Sequence, residues 1–224
     1  ELMSDLIDVK TKVIFIASPN NPTGTAKTLQ EIKDFLNNLP DDILVFLDQA
    51  YYEYIEGSEF DIPFSLIDDH PNLVISRSFS KAHGLAALRL GFCVSNPELS
   101  DYLNRVRQPF NANSLALDLG KVALSDQEHI SKSVKINSSG MERVKKAFAN
   151  LDYKFIESWG NFISFDAKQD SDVAFQYFLE KGVILRSLKV YEMPHHLRVS
   201  IGTEEEMDFF LQVLEDYEKD LSKK

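Results

Sequence analysis

Val13-Ile14-Phe15-Ile16-Ala17 runs into Ser18-Pro19-Asn20-Asn21-Pro22-Thr23-Gly24-Thr25. A helical pattern from Thr28 to Leu39 follows, and then a second apolar run, Ile43-Leu44-Val45-Phe46-Leu47. Five apolar residues with no polar alternation suit a strand buried on both faces, as in a parallel sheet covered by helices. Thr28 and Glu31 have the spacing of a capping box, and Leu29, Ile32, Leu36 and Leu39 form a stripe at helical spacing. Strand, helix, strand is the signature of an α/β fold. Leu73 to Ile75 and Leu90 to Val94 extend the series.

The second half of the chain is patterned differently. Ser114 to Leu124 reads as a helix, and Met141, Val144, Phe148 and Leu151 mark another. Phe155-Ile156 and Phe162 to Phe165 read as strands around the turn Ser158-Trp159-Gly160-Asn161. A helix is expected from Asp172 to Glu180, stopped by Gly182, with strands at Val183 to Leu185 and Leu197 to Ile201. Thr203 and Glu206 form a second capping box, opening a last helix with Met207, Phe210, Leu211 and Leu214 on one face. A change of organisation is expected near residues 112–130.

Composition narrows the function. The 224 residues are 44% hydrophobic and 26% charged, as in a globular domain, with no apolar run near the ~20 residues of a membrane span. A formal charge of −11 argues against nucleic acid or an anionic membrane surface as partner. Cys93 is the only cysteine, so no internal disulfide forms, which suits a cytoplasmic protein; its apolar surroundings suggest a buried thiol. The five histidines are scattered and no metal set is apparent; His83 is expected on a helix surface. The chain starts at Glu1 with no signal-peptide pattern, and its lack of an initial methionine is what a trimmed or partial chain would show.

Chemistry-bearing residues gather in loops that follow the early strands: Ser18 to Thr25, Asp48 to Tyr51, and Ser76 to Leu85 closed by Arg89-Leu90-Gly91. Singly, these are an ordinary turn, a strand-end acid and a serine-rich surface loop. Ligands of open α/β sheets bind at the carboxyl ends of strands, so three such loops in this order point to one site.

These stretches resemble the aspartate-aminotransferase-like (fold type I) enzymes that use pyridoxal 5'-phosphate, and Arg107-Gln108-Pro109-Phe110-Asn111 resembles the histidinol-phosphate aminotransferase branch. The resemblance implies a partial large cofactor-binding domain with a mainly parallel sheet over residues 1–112. An interdomain helix at 113–130 and a smaller C-terminal α/β domain at 131–224 complete it. Family members carry a longer segment ahead of the Asn21 loop, including a phosphate-holding turn and a ring-stacking aromatic, so the chain would lack that N-terminal part. Lys81 is implied as the Schiff-base lysine and proton carrier, and Asp48 as partner of the pyridine nitrogen. Tyr51 and Asn21 would contact the cofactor's phenolic oxygen, while Ser78, Ser80 and Arg89 would bind its phosphate. On the substrate side stand Arg198, Arg186 and Asn161.

The implied reaction is transamination between L-histidinol phosphate and 2-oxoglutarate in histidine biosynthesis, by a cytoplasmic homodimer taking a small amino donor and a 2-oxo acid. The alternatives are an aromatic amino acid aminotransferase, a related decarboxylase, and a non-catalytic binding or regulatory domain without cofactor. The resemblance also implies a cis peptide at Asn21-Pro22.

Overall fold

The computed structural model describes residues 3–223 and divides them into two compact units. Among the described residues, one comprises residues 3–20 and 26–130; the other comprises residues 21–25 and 131–223.

The first unit is built on four strands, β1 (Val13–Ala17), β2 (Leu44–Asp48), β3 (Leu73–Ser78) and β4 (Gly91–Val94), in the order β1-β2-β3-β4. β1, β2 and β3 run parallel and β4 is antiparallel to β3. β1 and β2 are connected through α1 (Leu29–Asn37), whose capping box at Thr28 and Glu31 forms as its sequence spacing demands. Ile32 and Leu36 of α1 pack on Val45, Leu47, Leu73 and Ile75 to make the core of this unit. The short helix α2 (Leu66–Asp69) adds Leu66 and Ile67 to it. α3 (Pro97–Val106) follows β4, with Asn96 as N-cap and proline at the first helical position, where no amide hydrogen is needed. α4 (Ser114–Ser125) closes the unit, and the chain passes into the second unit within α5 (Gln127–Asn150).

Cys93 is exposed rather than buried. β4 lies at the end of the strand order, and its alternate residues Gly91 and Cys93 face outward, so an apolar run here is not covered on both faces.

The second unit holds an antiparallel sheet ordered β5-β6-β8-β7, from β5 (Phe155–Ile156), β6 (Phe162–Asp166), β7 (Arg186–Ser187) and β8 (His196–Ser200). Side chains alternate across a strand, so one face presents Ile163, Phe165, Leu197 and Val199 to the core. That face is covered by Met141, Val144 and Phe148 of α5, Ala174 and Phe178 of α6 (Ser171–Glu180), and Phe210, Leu214 and Tyr217 of α7 (Glu204–Leu221). The second capping box, Thr203 with Glu206, starts α7.

The strand expected at Val183 to Leu185 lies later, at Arg186–Ser187. Gly182 turns the chain at φ +86°, and the Val183 amide hydrogen-bonds back to the Phe178 carbonyl. Leu185 then fills the core before sheet pairing begins, so its apolar character reflects packing rather than strand pairing.

Candidate active site

In the first unit the parallel strands deliver their carboxyl ends side by side. The Ser18 amide donates to the Asp48 carbonyl at 3.0 Å, and the Gln49 amide to the Ser76 carbonyl at 2.9 Å. Asp48, the last residue of β2, is exposed; its carboxylate accepts the Ala50 amide at 3.0 Å, with the Ser76 hydroxyl at 3.5 Å. Those contacts occupy one carboxylate oxygen and fix the direction of the side chain. Tyr51 is buried three residues on.

After β3 the chain forms a tight turn. The Ser78 hydroxyl accepts the Ser80 amide at 3.0 Å, and the Gly84 amide donates to the Lys81 carbonyl at 2.9 Å. Buried Phe79 anchors the turn through two backbone bonds, its amide to Leu90 and its carbonyl from the Leu85 amide. Gly84 takes φ +72°, a conformation that suits glycine. The Lys81 amine is thereby held 5.1 Å from the centre of the Tyr51 ring.

Arg89 adopts left-handed backbone (φ 53°), which is uncommon for a residue with a side chain. Its guanidinium donates to the Ala86 carbonyl at 2.8 Å and reaches the Ser80 hydroxyl at 3.5 Å. Asp48, Tyr51, Ser78, Ser80, Lys81 and Arg89 therefore belong to one unit, along the ends of two adjacent strands.

Asn21, Asn161, Arg186 and Arg198 belong to the other unit. Both Asn21-Pro22, as expected, and Ser18-Pro19 are cis. Gly24 (φ +79°) lies so near Ser158 that an added Cβ would come within 2.1 Å of its hydroxyl, and the Gly24 carbonyl accepts the Trp159 amide at 2.8 Å. Ser164 on β6 donates to the Pro22 carbonyl at 2.6 Å. The Asn21 side-chain oxygen accepts a hydrogen bond from Arg198.

Arg198 pairs across the sheet with Ser164 on one side and with Arg186 on the other. Two guanidinium-bearing residues opposite each other on one sheet face are unfavourable unless an anion lies between them. Arg198 Nε is buried without a partner, and its guanidinium lies 5.0 Å from the Phe162 ring. The Asn161 carbonyl accepts the Ile201 amide at 2.8 Å, tying the turn after β5 to the end of β8.

His83 is not on a helix surface. It sits in the Lys81 turn, and its ring nitrogen lies 3.3 Å from the Glu53 carboxylate, both side chains nearly buried. Sequence spacing carries no sign of this pair, because its members come from different loops. Among the described residues no cluster of His, Cys, Asp or Glu has the arrangement of a metal site, and no helix is long and apolar enough to cross a membrane.

The relatives of this chain agree with its architecture. Histidinol-phosphate aminotransferase 2 of Pseudomonas fluorescens is 49% identical over 208 residues, covering 93% of this chain and 56% of the relative. Histidinol-phosphate aminotransferase 1 of Nitrosococcus oceani is 45% identical over 215 residues, covering 96% and 58%. The chain thus spans little more than half the length of these relatives. The crystal structure of histidinol-phosphate aminotransferase from Sinorhizobium meliloti in complex with pyridoxal-5'-phosphate superposes with a TM-score of 0.86 at 25% identity, covering 94% of this chain and 58% of that one. A Thermus thermophilus aspartate aminotransferase mutant shares the fold alone, with a TM-score of 0.82 at 19% identity over 96% of this chain and 62% of that one. Residues 1–214 match the model of aminotransferases class I and II, and with the strand order and the Lys81 turn described above, the chain belongs to that family.

Proposed function

We propose that the protein containing this chain is a pyridoxal-phosphate-dependent aminotransferase that interconverts L-histidinol phosphate and 2-oxoglutarate with imidazole-acetol phosphate and L-glutamate. The observation that carries this reading is the grouping of Asp48, Tyr51, Lys81 and Arg89 at neighbouring strand ends of one unit, in a family of aminotransferases.

The donor set fits the cofactor. Pyridoxal phosphate needs an amine, a carboxylate for its ring nitrogen and a cationic, hydroxyl-rich cradle for its phosphate. Lys81 is the amine. Asp48 keeps one carboxylate oxygen outside its local hydrogen bonds. Arg89, Ser80 and Ser78 lie within one turn, and arginine pairs with phosphate through two parallel bonds. Bound there, the cofactor supplies an electron sink for the bond broken at the substrate Cα.

The chain's own residues do the remaining work. Lys81 takes the proton from the substrate Cα and returns it, a role that suits a flexible amine held by a rigid turn. Asp48 holds the proton on the ring nitrogen. Tyr51 and Asn21 orient the ring through its phenolic oxygen, and Asn161 faces the substrate. Arg198, with an unpartnered Nε, and Arg186 opposite it bind the anionic end of either substrate. We assign the protein to the cytoplasm and expect it to act as a homodimer.

The test uses full-length protein with histidinol phosphate and an aromatic amino acid as competing donors. Glutamate formation from 2-oxoglutarate should proceed far faster with histidinol phosphate, and Lys81→Ala should lower it by at least ~10²–10⁴-fold. Borohydride should attach the cofactor to the Lys81 peptide and to no other. Preference for the aromatic donor would overturn the substrate; labelling of a different lysine would overturn the site.

A further inference from the structure

Two polar side chains are nearly buried in the first unit beside the residues assigned to catalysis. Glu53 lies two residues beyond Tyr51, in the short 3-10 helix Tyr52–Tyr54, and His83 lies two residues beyond Lys81. Their facing atoms are 3.3 Å apart, and side-chain exposure is 10% and 9%. The second carboxylate oxygen of Glu53 is buried without a partner. The imidazole also lies beside Ala123 of α4, with which it lines one pocket, and 4.9 Å from the Phe79 ring. One ring therefore ties together the segment after β2, the turn after β3 and the end of α4.

Burying two polar groups without need costs free energy, so such a pair is retained for what it holds in place. Here it holds the two loops that carry Tyr51 and Lys81, at the same offset from each. A displacement of ~1 Å between a catalytic amine and its neighbours costs about a hundredfold in rate. We propose that Glu53 and His83 are a positioning pair that sets the Lys81 amine against Tyr51. The proposal rests on the assignment of Lys81 made above.

The electrostatics agree with the geometry. Burial pushes the Glu53 carboxyl up and the His83 imidazole down, so the site disfavours the charged form of each. The charged and titratable groups around the pair are His129 of α5, which further lowers His83, Asp126 at the junction of α4 and α5, and Arg77 and Glu56, which act on Glu53.

The experiment compares His83→Phe, His83→Gln, Glu53→Gln and the Glu53→Gln/His83→Phe double variant in full-length protein. Phenylalanine keeps most of the ring volume without its nitrogens, whereas glutamine keeps a donor and an acceptor. Three quantities are measured: kcat and KM for the amino donor, thermal midpoint, and the pH midpoint of Lys81 acylation in cofactor-free protein, read by peptide mass spectrometry. For a positioning pair, His83→Phe lowers kcat roughly tenfold or more while KM changes little, and it shifts the Lys81 midpoint. His83→Gln recovers most of both. The double variant is no worse than His83→Phe, because the two residues act as a unit. Unchanged kcat and Lys81 midpoint in His83→Phe would overturn the proposal, as would equal losses in Gln and Phe that track the thermal midpoint. A Lys81→Ala control separates the two ideas: if that variant stays active, the assignment of Lys81 falls and the pair falls with it.

Discussion

Arg198 and Arg186 face each other from adjacent strands, and a shared anionic ligand would relieve their repulsion. Glutamate offers carboxylates, whereas histidinol phosphate offers a phosphate and no carboxylate, so under the proposed reaction one pocket would have to take both. The planar guanidinium pairs bidentately with either group and stays charged, which lysine matches only in charge. Arg198 is hydrogen-bonded to Asn21 and keeps a buried Nε without a partner, so it is the better anchored of the two. Arg198→Lys is expected to weaken both half-reactions, by the ~1.5–3 kcal/mol of a charge-assisted contact. Arg186→Lys should impair histidinol phosphate more than glutamate. Single-turnover kinetics of each half-reaction read this directly, and two unaffected half-reactions in Arg198→Lys would place the anion pocket elsewhere. At this scale the sequence was readable where a candidate residue sits beside a local signal: Asp48 and Lys81 each close or follow an apolar run. It was unreadable for His83, whose surroundings are made by Glu53 and Ala123, far away along the chain.

Elements were legible where their ends are marked by local chemistry. Thr28 with Glu31 and Thr203 with Glu206 announce α1 and α7, and both boxes close in the structure. Thr203→Ala removes the hydroxyl that accepts the Glu206 amide, so it should cost about 1 kcal/mol. The loss appears as a lower urea midpoint with an unchanged slope, since the surface exposed on unfolding stays the same. A midpoint equal to that of the parent protein would mean the cap carries no stability. α3 lacks so plain a mark, because Pro97 reads as a breaker until it is seen at the first helical position. The displaced β7 has a related cause: Val183 and Leu185 look like a strand but are held by a helix end and by the core. Periodicity separates buried from exposed residues, yet says nothing about whether a short buried run pairs with a neighbour.

At the scale of the whole molecule, the segment from α3 into α4 bears on assembly. Val106 and Phe110 are exposed, Phe110 almost completely (97%), and Phe110 has left-handed backbone at φ 57°. Leu115, Leu119 and Val122 are also exposed, at the helical spacing that puts them on one face of α4. A monomer rarely leaves such a stripe uncovered, and a homodimer would bury it with a self-complementary interface. The formal charge of −11 on the 224 residues opposes that association, so apolar contact has to overcome a repulsion that salt screens. Full-length protein is therefore expected to sediment as a dimer whose affinity rises, rather than falls, between low and physiological ionic strength. Phe110→Ala should weaken self-association by about tenfold or more, as loss of an aromatic anchor worth over ~1.4 kcal/mol would. Sedimentation equilibrium on parent and variant at two salt concentrations decides the matter. A fully active monomer at all concentrations would refute the dimer, and a dimer that salt dissociates would show that charge pairs hold it rather than the face around Phe110 and α4.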